Sequence, residues 1–267
     1  MTPIPSSKQL LTRANQRAQR YLSAWWRLIW LGSLILVHAL SPASYSRANR
    51  PAMAFHIYTN TAPILLGFSL LCAIISVVLT RIVTATALSY GLSQYGLQVV
   101  IRVLVLELIP LTAALFVALR CTIPDGAEVA GMQSRGELDA MRGRGIDPIQ
   151  QEVLPRVLAG LVSTVTLAAL SCVVALIVAY LAVYGFRLSG LEAYTRLFGQ
   201  VFNPAVALIF VLKTLFFSLA VSLIPMLSAL YGVGDKGSRS SAEMRGLVRM
   251  FALILLIEVL SLVGNYL

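Results

Sequence analysis

The run Leu97–Cys121, LQVVIRVLVLELIPLTAALFVALRC, decides the architecture. It is long enough to cross a bilayer as a helix, which takes about 20 mostly apolar residues. Four further runs, at roughly 59–80, 153–185, 204–231 and 248–266, have the same character. The third in chain order, 153–185, exceeds one crossing, so part of it is expected to tilt or to extend beyond the hydrocarbon. Overall composition agrees with this reading. Of 267 residues, 58% are hydrophobic and 12% charged, against about 25% charged in a soluble domain. Half the usual charge cannot cover a soluble fold of this size. A soluble enzyme, a disordered tail and a fibrous repeat are all ruled out. The expected class is an all-α membrane protein with five transmembrane helices.

Lysine and arginine are distributed unevenly between the loops. The chain up to residue 56 holds Lys8, Arg13, Arg17, Arg20, Arg27, Arg47 and Arg50. The 120–156 region adds Arg120, Arg135, Arg142, Arg144 and Arg156, and the 236–249 region adds Lys236, Arg239, Arg245 and Arg249. The 82–96 loop has none, and the 186–203 loop has Arg187 and Arg196. Positive charge stays on the cytoplasmic side. The N-terminus is therefore expected in the cytoplasm and, after five crossings, the C-terminus in the periplasm of a bacterial inner membrane. The stretch Tyr21–Leu40 has positive charge before, within and after it, together with Trp25, Trp26 and Trp30. That pattern predicts an amphipathic or re-entrant elbow helix in the inner leaflet rather than a sixth span. Residues 1–56 would be the cytoplasmic N-terminus and elbow, and 57–267 the five-span domain. Without a convincing small-residue cleavage site, the first residues do not read as a signal peptide.

The net charge of +10 follows the membrane flanks, so nucleic acid is not an expected partner. Cys72, Cys121 and Cys172 lack metal-ligand spacing, and His38 and His56 have no carboxylates nearby in sequence. Neither a metal site nor a catalytic set is expected. The run Gly232–Ser238, GVGDKGS, has a superficial likeness to a phosphate loop but not its G-x-x-x-x-G-K-[ST] spacing. Any ATP hydrolysis would belong to another subunit.

Between the second and third spans, residues 122–152 form a polar segment. Ser134-Arg135-Gly136-Glu137 fits a capping box, with Ser134 as N-cap. The short helix it would start ends near Gly143 or Gly145. Asp147-Pro148-Ile149-Gln150 fits a second start, with Asp147 as N-cap and Pro148 at the first helical position. A capped cytoplasmic helix held between two spans suggests a docking element, and a passive connector is the alternative.

Three runs in this region, Glu137–Met141, Gly145–Ile149 and Leu154–Gly160, are similar to the E-Q-I-D-A-L, G-V-D-P-I and P-R-V-L-A motifs of the MlaE-type permease family of lipid ABC transporters. Leu106–Pro110 resembles that family's R-E-L-G-P, Ala127-Glu128-Val129 its A-E-L, and Lys213-Thr214 its K-S pair, while Glu258 stands for an aspartate. The resemblance covers about residues 55–267. Departures fall at Leu106, Ile109, Cys121–Asp125, Gly136 and Arg142, which marks a divergent branch. The resemblance implies a homodimer with an elbow helix and five spans in each subunit. It also implies cytoplasmic ATPase subunits that bind ATP and Mg, a periplasmic MCE-domain protein, and phospholipid or a related lipid as cargo. Ser134, Glu137, Asp139, Arg142, Asp147 and Pro148 would then serve ATPase coupling.

Ionisable groups inside spans are costly and mark function by default. Glu107 lies about ten residues from the outer end of its span and Lys213 about nine from the outer end of its own. At 1.5 Å per residue both sit about 14 Å deep. Equal depth allows an ion pair or a shared polar site for a lipid headgroup. Pro110, three residues after Glu107, would loosen the helical ladder. Arg102 would snorkel to outer headgroups, and Glu258 would be a structural partner of another helix. Two other readings of the chain remain: a stand-alone secondary transporter or channel, and a non-transporting membrane anchor of a cytoplasmic complex. Carriers of the first kind often show duplicated halves, and no internal repeat is visible here.

Overall fold

The computed structural model describes residues 26, 29–38, 41, 50–231 and 239–266. The start of the Tyr21–Leu40 stretch, the Gly232–Ser238 run and the C-terminal Leu267 lie outside the described residues. Among those described there is no strand, and five helices are long and apolar enough to cross a bilayer. The chain is an all-α membrane protein.

The elements run in order. Helix α1 is Ile29–His38, a short apolar helix, and α2 is Arg50–Ser89. Helix α3, Tyr95–Ser134, carries π-helical turns at Ile101–Leu108 and Ala118–Thr122. Next come the short α4, Glu137–Gly143, and α5, Ile149–Tyr184. Helix α6 is Leu191–Val201, α7 is Pro204–Tyr231 and α8 is Arg239–Tyr266. Helices α3 and α7 are the central pair, each about half buried, whereas α2 and α8 lie outermost. Helix α2 packs on α5, α5 on α7, and α7 on both α3 and α8.

Where the helices end follows from glycine. Helix α2 stops at Gly91 (φ 72°): Leu92 N–H bonds to the Ala87 carbonyl at 2.8 Å and Gly91 N–H to that of Leu88 at 3.1 Å. This is the Schellman pattern, which needs a left-handed residue. Gly145 (φ 76°) ends α4 the same way, through Ile146 N–H to Met141 O and Gly145 N–H to Arg142 O. The second start also forms as its spacing predicts. Ile149 N–H donates to Asp147 Oδ1 at 3.0 Å, and the helix begins at Pro148.

The first capping box does not form. No stop signal acts at residue 121, so α3 runs on to Ser134, whose hydroxyl donates back to the Gly131 carbonyl at 2.8 Å. Gly136 (φ 74°) takes the N-cap position of α4, and Glu137 pairs with Arg135 at 2.5 Å instead of reaching back. Most of the 82–96 loop is likewise helical, leaving only the turn around Gly91. The 186–203 loop contains α6.

Among the described residues, buried apolar side chains gather in four clusters, including one at each end of the bundle. At the α4 end, Leu31 and Ile35 of α1 join Leu138 and Met141 of α4, Val153 and Leu154 of α5, and Met226 of α7. At the other end, residues of α3 between Leu97 and Ile109 pack with Cys172, Ala175, Tyr194 and Val201. There Tyr194 donates to the Leu176 carbonyl at 2.8 Å.

Candidate functional site

The charged residues within the spans meet at one place. Lys213 of α7 pairs with Glu107 Oε2 of α3, and its ammonium lies 2.8 Å from Glu258 Oε2 of α8. Asn265 of α8 donates to the other Glu107 oxygen at 3.3 Å. The Phe217 ring centroid, one turn on from Lys213, is 5.7 Å from the ammonium.

Backbone geometry explains a further partner. In the π-helical register, where Ile109 N–H bonds the Leu104 carbonyl, the donor owed to the Val105 carbonyl is the N–H of residue 110, and Pro110 has none. The Cys172 thiol donates to that carbonyl at 3.6 Å. Lys213 Nζ donates to the neighbouring Leu106 carbonyl at 3.2 Å. Glu107 itself lies in the π-helical stretch Ile101–Leu108, a local widening frequent at functional sites. Lys213 thus bonds both the Glu107 side chain and the backbone of the π-helical stretch that carries it.

Burial within the cluster is uneven. The Lys213 side chain is 1% exposed, while those of Glu107 and Glu258 are 9% and 13% exposed. Asn265 is partly exposed as well. The cation is sealed beneath its acceptors. Glu107 and Lys213 meet, and Glu258 of α8 joins them as the partner of another helix, through Lys213 of α7. Arg102, half-buried, is five residues up α3, within the same π-helical stretch as Glu107. Asn265 was not legible as a member, although its spacing of two turns from Glu258 puts both on one face.

The residues assigned to coupling lie at the opposite end. Helix α4 buries Leu138 and Met141 and turns Glu137, Asp139 and Arg142 outward, with Arg142 bonded to Asp139 at 2.6 Å. Arg135 beside Glu137 holds that exposed carboxyl below the usual range. Asp147, besides capping, has His38 Nε2 of α1 at 4.0 Å from its Oδ2. Pro148 is buried and Ser134 sits in the last turn of α3.

A second polar cluster at this end was missed. Arg156 is 4% exposed. It donates to the Glu152 carbonyl at 2.8 Å and to Glu152 Oε2 at 2.5 Å, and reaches Glu128 Oε2 at 3.4 Å. It thereby ties the start of α5 to α3, while Asn60 of α2 donates to Asp125 of α3 at 2.9 Å. An arginine just after a proline inside an apolar run is the signal that would have found it. The three cysteines are buried free thiols, and no group of metal-ligating side chains occurs among the described residues.

Comparison with known proteins agrees with this arrangement. A relative from Rickettsia prowazekii (strain Madrid E), described as a probable ABC transporter permease protein, is 29% identical over 154 residues. That alignment takes in 55% of this chain and 59% of the relative, so the chain spans a little over half the length of the curated protein it matches. The family model described as Permease MlaE matches residues 53–263, which contain the whole buried charge cluster apart from Asn265, and also the α4 segment. With most of its length matched, the chain belongs to the MlaE permease family.

Proposed function

We propose that this chain is the permease subunit of an ABC transporter that moves phospholipid, or a related lipid, between a bacterial inner membrane and a periplasmic MCE-domain carrier. The observation that carries this reading is the family match over residues 53–263. The relative's description as an ABC transporter permease supports it. So does α4, a short helix anchored by Leu138 and Met141 with its charged side turned outward. In this reading two copies form a homodimer, and ATPase subunits that bind ATP and Mg seat on α4 and the Asp147–Pro148 turn. The α4 end faces the cytoplasm, and the C-terminus lies in the periplasm. Helix α1 is the elbow: Leu31 and Ile35 pack into the α4-end cluster while Trp26, Trp30 and Val37 stay exposed. The Glu107–Lys213 cluster, opened by Pro110, lies on the lipid path.

The test is purification of the tagged chain from its own membrane, with identification of co-eluting proteins and lipids. An ATPase subunit and bound phospholipid are expected. A chain that elutes without any ATP-hydrolysing partner would favour a stand-alone carrier.

A further inference from the structure

Three prolines follow π-helical turns in the same way. Ile109, Ile123 and Leu154 each donate their N–H to the carbonyl five residues back, on Leu104, Ala118 and Ile149. The next residue is Pro110, Pro124 or Pro155, which has no N–H to carry the ladder on. Helices kink at prolines and at wide turns. The first of these breaks lies next to the Glu107–Lys213 pair. The other two flank α4, one in each of the helices that hold it.

Contacts put these two level with prolines of α2 and α7. Asn60 and Thr61 of α2, just before Pro63, bond to Asp125 of α3 at 2.9 Å and to Ser163 of α5 at 2.7 Å. A Cβ on Gly126, two residues after Pro124, would meet Pro225 of α7 at 3.1 Å. One on Gly160 of α5 would meet Thr122 and Ser222, just before Pro124 and Pro225. Four of the five spanning helices thus carry a proline at one level. It lies about 15 Å from the end of α3 at Ser134. The fifth, α8, has no proline and packs chiefly on α7.

Arg156 spans this level. It stands just past Pro155 on the bundle side and holds Glu152 within the π-helical turn and Glu128 beyond Pro124 on the α4 side. Its side chain is 5% exposed and that of Glu128 is 60% exposed. Glu128 can therefore swing into water while Arg156 stays paired with Glu152. Buried polar atoms without a hydrogen bond gather here too: Thr122 Oγ1, Ser222 Oγ and Arg156 Nε. Such atoms are seldom left so in a folded core, and they act as a reservoir of strain.

We propose that the bundle bends at this level and that Arg156 is the positioning residue that latches it. Residues 124–154, with α4 at their centre, move as a hinged unit against the rest of the bundle. This rests on the reading of α4 as the seat of an ATPase. A push on α4 then bends α3 and α5 at their wide turns, parts Glu128 from Arg156 and carries the motion into the spans.

The purified chain with its co-eluting subunits is placed in vesicles, and lipid transferred per ATP hydrolysed is measured. This ratio does not change with lost yield. The test variant combines Pro124→Ala with Pro155→Ala, which returns both missing N–H groups. Two restored ladder bonds disfavour a bent state by about thirtyfold. The variant should be at least as stable as the wild type, keep its ATPase and hydrolyse ATP, yet move at least about tenfold less lipid per ATP. Glu128→Gln, which opens the latch, should also lower the ratio while the ATPase stays bound; a ratio equal to the wild type's removes Arg156 as the latch. Equal ratios in the wild type and the proline variant overturn the bend and leave the permease reading standing. A wild type that hydrolyses ATP but moves no lipid removes both. Should the proline variant fail to assemble, the wild type decides. Hydrogen exchange at residues 119–128 and 150–158 should rise several-fold from the ATP-free to the vanadate-trapped state, and unchanged exchange there overturns the proposal.

Discussion

Replacing Lys213 with methionine tests how the intramembrane cluster holds α3, α7 and α8 together. The substitution keeps the length of the side chain and its contact with Phe217 but removes the charge. Two carboxylates, 9% and 13% exposed, lose their shared cation. Breaking a buried ion pair from one side costs about 3–5 kcal/mol. The Leu106 carbonyl also loses its hydrogen bond from Lys213, at about 1–3 kcal/mol. Adding Glu107→Gln removes one stranded carboxylate and leaves Glu258. Adding Glu258→Gln as well leaves a neutral polar cluster with only the carbonyl unserved. Stability should therefore rise in the order single, double, triple, with the triple variant within about 1–3 kcal/mol of the wild type. Unfolding in mixed micelles with increasing dodecyl sulfate, followed by circular dichroism, measures the series. A double variant as stable as the triple would show that Glu258 does not share the cation. A single variant within about 1 kcal/mol of the wild type would refute the cluster as a structural tie, because no buried pair of this kind is lost so cheaply.

Other expectations follow from particular contacts. Arg156→Met should cost about 3–5 kcal/mol by stranding Glu152 at the start of α5, read as lost yield of folded chain, with Arg156→Lys intermediate. At Gly160 a Cβ would meet Ser222 Oγ at 2.6 Å and Thr122 Cγ2 at 2.7 Å, so Gly160→Leu should destabilise by about 1–3 kcal/mol in the same micelle titration. Asp139→Arg and Glu137→Arg lie on the exposed side of α4 and should abolish ATPase co-purification without lowering stability; full retention of the ATPase in both would make α4 a passive connector. Burial pushes the Tyr194 phenol from 10.0 up to about 12. The unfolded chain thus loses that proton first, and stability should fall as pH rises from 10 towards 12, a slope that Tyr194→Phe should flatten.

Much of this could be read from the residues, and the misses share a cause. The five spans and the pairing of Glu107 with Lys213 follow from apolar length and depth, which are properties of each helix alone. The Asp147–Pro148 start and the glycine stop after α4 are equally local. Ser134 fails as an N-cap because the end of α3 is fixed by tertiary packing: Gly126 lets α3 approach Pro225 of α7 closely, and the helix continues past the apolar run. Helix α6 was hidden in a loop of mixed composition, held by Tyr194, Leu197 and Val201 against the bundle. The roles of Glu258, Asn265 and Arg156 depend on which helices are neighbours. Periodicity does not carry that information.

ATP-driven lipid movement by the purified assembly tests the central claim most directly. The tagged chain, isolated with its co-eluting subunits and placed in vesicles carrying a fluorescent phospholipid, should transfer that lipid to an acceptor when ATP and Mg are added. Transfer should cease in the Asp139→Arg variant. Lipid or solute movement that proceeds without ATP, driven by an ion gradient alone, would contradict the account.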